Sequence, residues 1–186
     1  MFRRLGPRAV LAALALILSV GGVQVTTAAS AAAAVRTVYF DASRAGEFAT
    51  NFAEAAEIWN SSVVNVRLEA GIPATVTIYV DEGWPRAQVT DLGAGRVWMG
   101  WQAVDQGYDR TRIATHELGH ILGLPDDRTG LCSDLMSGSS APVSCTNAQP
   151  SPAEAAWVDT LFADSTDSTD SAPTRGQQRS YTWTAS

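Results

Sequence analysis

The 186-residue chain contains two histidines, and both fall in one window, HELGHILGLPD, His116 to Asp126. They stand four residues apart, so on a helix they lie one above the other on the same face. Two imidazoles placed this way can turn a ring nitrogen toward one point, about 2 Å from each, which is the bond length of zinc to a histidine nitrogen. Glu117 projects beside them, able to reach a water at that point without being placed as a ligand. This is the physical content of H-E-x-x-H: two metal ligands and a general base. A catalytic zinc takes three protein ligands and keeps one position for water. With no third histidine, the third ligand must be a carboxylate or a thiolate. Gly123 can adopt the left-handed conformation that ends a helix and sends the chain back. Pro125 stiffens the return, and the spacing favours Asp126 as the third ligand. Asp127 and Glu154 are its rivals.

The elements that must position these residues can be read on either side. Asp109 is a good N-cap for a helix running through TRIATHELGHILG. Upstream, VRTVYF (35–40) alternates and is β-branched, so it predicts a strand. Asp41 or Ser43 can cap the helix after it, in which Phe48, Phe52, Ala55, Ala56 and Trp59 recur at helical spacing and form a buried face. NVRLEAG and TVTIYVD predict two more strands, separated by Gly71 and Pro73. DEGWPRAQVTDLGAG, with Gly83, Pro85, Gly93 and Gly95, reads as a loop. RVWMGW (96–101) reads as a fourth strand and as the edge along which an extended substrate would add. Ser151, Pro152 and Glu154 form a strong helix start of the capping-box kind. Ala155, Trp157, Val158, Leu161 and Phe162 supply the apolar face of that helix. The order predicts an α+β domain: a twisted, mostly parallel or mixed sheet of four to five strands, an active-site helix and a C-terminal helix.

The ends of the chain differ in kind from this middle. Three arginines precede an apolar run of twelve, AVLAALALILSV, and then small residues, which is the order of a secretory signal peptide. The run is too short to span a bilayer. The expected division is a signal peptide and short leader over 1–34, a catalytic domain over 35–163, and a disordered Ser/Thr/Asp-rich tail over 164–186 whose only apolar features are Tyr181 and Trp183. Losing the three leader arginines takes the formal charge from −6 to −9, and the chain has no lysine. That excludes the basic patch a nucleic-acid binder needs. In an exported chain, Cys132 and Cys145 predict one disulfide, contributing about 3 kcal/mol through loop closure.

The window, with CSDLMSG and SCTNAQP behind it and FDASRAGEFATNFAEAAEIWNSSVVNVRLEAG ahead of it, resembles the snapalysins. These are small neutral proteases secreted by Streptomyces, within the metzincin clan of zinc proteases, with aspartate where most of that clan has a third histidine. The resemblance covers about residues 35–163. It implies zinc ligands His116, His120 and Asp126, with Glu117 as catalytic base. It also implies a Met-turn at Met136 beneath the metal, a Cys132–Cys145 disulfide, a calcium ion at Asp109 and Thr111, and preference for an aromatic residue just after the cut. The implied activity is that of a secreted, monomeric endopeptidase acting on proteins or peptides. Arg128 departs from the family pattern, standing where an aromatic is expected, and no tyrosine occurs between Tyr108 and Tyr181. If a phenol normally steadies the oxyanion, Arg128 is the substitute this chain offers. The competing readings are a zinc hydrolase of another amide and a non-catalytic metal-binding protein. A structural zinc would want four protein ligands, and the cysteines are better used in a disulfide.

Overall fold

The computed structural model describes residues 34–167 and 179–183. The leader and most of the tail lie outside the described residues. Strand β1 (Arg36–Arg44) is followed by a 3-10 turn (Gly46–Phe48) and helix α1 (Ala49–Ser62), and then by β2 (Val66–Ala70) and β3 (Val76–Asp81). The chain continues as β4 (Arg86–Asp91), β5 (Ala94–Gly100), α2 (Trp101–Asp105) and α3 (Arg110–Ile121). A 3-10 turn (Leu135–Ser140), α4 (Pro152–Asp167) and β6 (Arg179–Thr182) complete it.

One six-stranded sheet runs in the order β2-β1-β3-β5-β4-β6. Its first four strands are mutually parallel, while β4 is antiparallel to both β5 and β6. A parallel pair needs a long crossover, and α1 supplies it between β1 and β2. The inward residues alternate as a half-buried sheet requires: Val38 and Phe40, Val66 and Leu68, Val76 and Ile78, Val97 and Met99 are all buried. The face read for α1 is buried throughout, Phe48, Phe52, Ala55, Ala56 and Trp59 alike. Trp59 Nε1 donates to the carbonyl of Thr115 at 2.9 Å, which pins α1 against α3.

The α+β class, the mixed sheet and both key helices match the expectation; several details do not. β1 runs on to Arg44 because it also pairs with β3, Arg44 opposite Tyr79. Asp41 and Ser43 therefore cap nothing; Asp41 Oδ1 accepts from its neighbour's amide, Ser43 N, at 2.8 Å. Trp101 begins α2 and does not end β5. Trp157 is 53% exposed, while Val158 and Phe162 carry the buried face of α4.

The largest corrections concern one edge of the sheet. Residues 81–95, expected as a loop, contain β4, whose Ala87 and Val89 point inward. Alternation was present, but weak apolar residues and the flanking Gly and Pro hid it. RVWMGW is not an edge, because β5 lies between β3 and β4. Nor is the whole tail unstructured: α4 continues to Asp167, β6 pairs with β4, and Trp183 is 1% exposed.

Candidate metal centre

α3 begins where Asp109 accepts a hydrogen bond from the Arg112 amide at 2.8 Å, the N-cap expected of it. Every residue from Arg112 to Ile121 is buried, so this helix is covered on all sides. Burying four ionisable side chains, Arg112, His116, Glu117 and His120, on such a helix is costly unless each has a partner. Where those partners lie defines the site.

His116 Nδ1 lies 3.0 Å from the carbonyl oxygen of Leu135, and His120 Nδ1 lies 2.8 Å from that of Leu124. A carbonyl can only accept, so each Nδ1 carries the proton and each Nε2 presents a lone pair. Those two Nε2 atoms are 3.1 Å apart. Asp126 Oδ1 stands 3.3 Å from the first and 3.6 Å from the second. Three electron-pair donors thus converge with no hydrogen between them, an arrangement that a bound cation would satisfy. Their spacing also fits: a tetrahedral ion with bonds of 2.0–2.1 Å holds its ligand atoms about 3.3–3.4 Å apart. Asp126 Oδ1 and both carboxylate oxygens of Glu117 are buried with no hydrogen-bond partner among the described residues. His116, His120 and Asp126 form the one group of three metal-ligating side chains found among the described residues.

The electrostatics agree with a cation-binding role. Burial, assisted by His116, pushes the His120 imidazole down to about 3, so it is neutral, as a ligand must be. Burial raises the Glu117 carboxyl well above the usual range; Asp126 adds to this and Arg86 opposes it. Burial also works to raise Asp126, but the approach of His116 and the charge of Arg128 outweigh it and hold that carboxyl low.

The turn to Asp126 has the form the sequence suggested. Gly123 sits at φ +99°, its amide bonded to the His120 carbonyl and that of Leu124 to the Gly119 carbonyl, a Schellman ending. Asp127, the adjacent rival, has an exposed side chain, and its amide is used on the Met136 carbonyl at 2.9 Å. Glu154, the distant rival, is fully engaged elsewhere. It accepts from the Ser151 amide at 2.6 Å, closing the capping box, and from the amides of Leu135 and Met136 at 3.2 and 2.7 Å. The same carboxylate therefore starts α4 and holds the turn whose carbonyl orients His116.

Met136 is buried under α3 at Gly119, where a Cβ would come within 2.8 Å of its sulfur. The fourth residue of H-E-L-G-H is glycine where the Met136 side chain approaches that closely. Cys132 and Cys145 are bonded to each other and enclose this turn. Arg112, which the sequence reading did not single out, is buried and donates to the carbonyls of Cys132, Asp134 and Asn147. Asp109 and Thr111 have local employment: the first caps α3, and the second accepts from Asn51 and donates to Glu54 on α1.

The sequence reading missed that two tail residues also reach the centre. Tyr181 stacks flat on His120, ring centroids 4.1 Å apart, and Trp183 meets His116 edge-on at 4.6 Å. Arg128 lies 3.3 Å from Asp126 Oδ2 and donates to the Thr182 carbonyl at 3.3 Å. The only signal in the sequence was the presence of two aromatics in an otherwise polar tail.

A sheet backed by a helix that carries two histidines, with a carboxylate brought beside them by the turn after it, defines a small zincin-like domain. Residues 34–165 match the family described as the Streptomyces extracellular neutral proteinase (M7) family, and the chain belongs to it. It is 45% identical over 130 residues to the extracellular small neutral protease of Streptomyces sp. (strain C5), covering 68% of this chain and 56% of that protein. To the same-named protein of Streptomyces coelicolor it is 44% identical over 139 residues, 73% of this chain and 64% of that one. To that of Streptomyces caespitosus it is 45% identical over 129 residues, 68% and 97%. The chain thus spans a little over half of the first relative and under two thirds of the second. The likeness read from the motif and its flanks is borne out.

Proposed function

We propose that this chain is a secreted, monomeric, zinc-dependent endopeptidase. On this reading its catalytic domain covers residues 35–163, residues 1–34 direct export, and the substrates are proteins, cut before an aromatic residue. The observation that carries the reading is the convergence of His116 Nε2, His120 Nε2 and Asp126 Oδ1 at 3.1–3.6 Å beside the unpartnered carboxylate of Glu117. Family membership and the relatives' printed names, extracellular and protease, support the activity and the export. The aromatic preference rests on the family resemblance alone.

His116, His120 and Asp126 would hold the ion, and nitrogen with carboxylate oxygen is a donor set that suits zinc. Zinc supplies a Lewis acid and makes water nucleophilic near neutral pH. Glu117 takes the proton of the attacking water and returns it to the leaving amine. Leu135 and Leu124 keep each imidazole in the tautomer that leaves Nε2 bare, and Met136 is the apolar floor. Arg128 already reaches a peptide carbonyl beside the cluster and serves as the oxyanion donor. A calcium ion at Asp109 and Thr111 draws no support from the geometry, since both side chains have partners within the fold.

Purified residues 35–186 should cleave a quenched peptide containing an internal tyrosine, and a chelator should abolish this. Glu117→Ala should lower kcat by about 10²–10⁴-fold; cleavage at the wild-type rate by that variant would end the reading. In the same assay Arg128→Ala should lower kcat by about 10²-fold, as loss of an oxyanion donor does. Wild-type kcat in that variant removes arginine from the mechanism.

A further inference from the structure

The catalytic groups are sealed from solvent: His116 and Glu117 are 0% exposed and His120 1%. A peptidase whose base and both histidine ligands meet almost no solvent cannot admit a substrate in this state, although Asp126 keeps part of its side chain exposed. What lies over the two histidines is the end of the same chain. β6 pairs antiparallel with β4, Arg86 opposite Thr182 and Gln88 opposite Ser180. The Trp183 amide continues the ladder to the Pro85 carbonyl at 2.8 Å. Without β6, β4 would be the bare edge of the sheet beside the metal centre, and an extended peptide recognises such an edge by adding a strand to it.

Three further observations make this segment look like an occupant of the cleft. Thr182 offers its carbonyl to Arg128, the donor assigned above to a substrate carbonyl. The residue following that carbonyl is the aromatic Trp183, buried against His116 and Tyr108. Tyr181, just before it, covers His120. The hold is also limited: β6 has four residues, and the Trp183 indole N–H is buried with no acceptor among the described residues. A buried donor left unmet is a cost to docking.

We propose that residues 179–183 occupy the substrate cleft in the manner of a substrate, so that the chain is its own competitive inhibitor; this rests on the peptidase reading above. A tethered strand that docks on the free enzyme raises the apparent KM and leaves kcat alone, since saturating substrate displaces it. A partner that captures the tail, or a protease that removes it, would release the activity.

The test compares the full chain with two full-length variants, Tyr181→Gly/Trp183→Gly and Tyr181→Pro. The second keeps Trp183 and removes the strand amide that faces Ala87 on β4. Both should lower KM for the quenched peptide by about tenfold or more, the shift for a tail docked about ten times more often than free, with kcat unchanged. Amide hydrogen exchange over Arg86–Asp91 should quicken in both. The synthetic peptide RSYTWTAS, added to either variant, should inhibit competitively. Unchanged KM overturns the proposal, whether or not exchange quickens. If none of the chains cleaves peptide, the peptidase reading fails on its own. Exchange then decides: faster exchange in both variants keeps the strand on this edge, and unchanged exchange overturns it.

Discussion

The floor of the metal centre and the sheet edge above it are built in opposite ways. Beneath the histidines, polar groups that meet the chain are met several times: Glu154 accepts from three amides, and Arg112 donates to three carbonyls. Each of those bonds ties α3, the methionine turn or α4 to another element. Above the histidines, β6 and Trp183 are held by a four-residue ladder with one further amide bond, one arginine and three aromatic contacts. Cross-linked polar networks make a fixed arrangement, because breaking any member leaves buried groups unpaired. A short terminal strand opens at little cost. Precision is concentrated where ligands are aimed, and exchangeability where, on the proposed reading, a peptide would enter.

Glu154→Ala would break this comparison most severely. It removes the cap of α4 and leaves two amides of the methionine turn without an acceptor, a loss of about 3 kcal/mol. Denaturant midpoints should record it, and a metal titration should show affinity weakened about 10–100-fold through the loosened Leu135 carbonyl. If stability stays at wild type, the floor is not the rigid half. Gly119→Ala should come next. A methyl group there meets the Met136 sulfur at 2.8 Å, but that sulfur ends a flexible side chain and alanine favours a helix, so the net cost is about 1 kcal/mol. The same measurement checks it, and a neutral result would mean that the turn gives way as readily as the edge. The smallest effect belongs to the edge side. The hydrogen bond from Arg86 holds the Asp81 carboxyl below its ordinary value. A lowered folded value means the stabilisation is present above the unfolded value of about 3.9 and is lost as pH falls through the folded one. For so exposed a pair it amounts to less than about 1 kcal/mol. The gap in stability between wild type and Asp81→Asn should close on acidification from about pH 6 to below the folded value; a gap that persists there would assign it to something other than charge.

Legibility in the sequence divides along the same line. The histidine pair, the Asp109 cap and the Ser151–Glu154 box are signals written within a few residues, and each stands where it was read. The reversal at Gly123 was legible because a positive φ admits few residues other than glycine. β4 was not, since Ala87 and Val89 make a weak alternation and its strand state depends on pairing with β5 and β6. β6 was still less so: four residues in a polar tail form a strand only because an edge is there to receive them. The cap expected at Asp41 failed for a related reason, namely that long-range pairing with β3 extends β1 through it. The second role of Glu154 joins residues nearly twenty positions apart, and nothing local announces it.

The bond between Cys132 and Cys145 adds an order of events to this layout. The helix carrying both histidines can form wherever the chain is made. The loop that encloses Met136 and supplies the Leu135 carbonyl is closed covalently only where thiols are oxidised. In a reducing compartment the segment that aims His116 would rest on its hydrogen bonds alone, without covalent closure. Completion of the centre is in this sense a matter of place and time as well as of sequence.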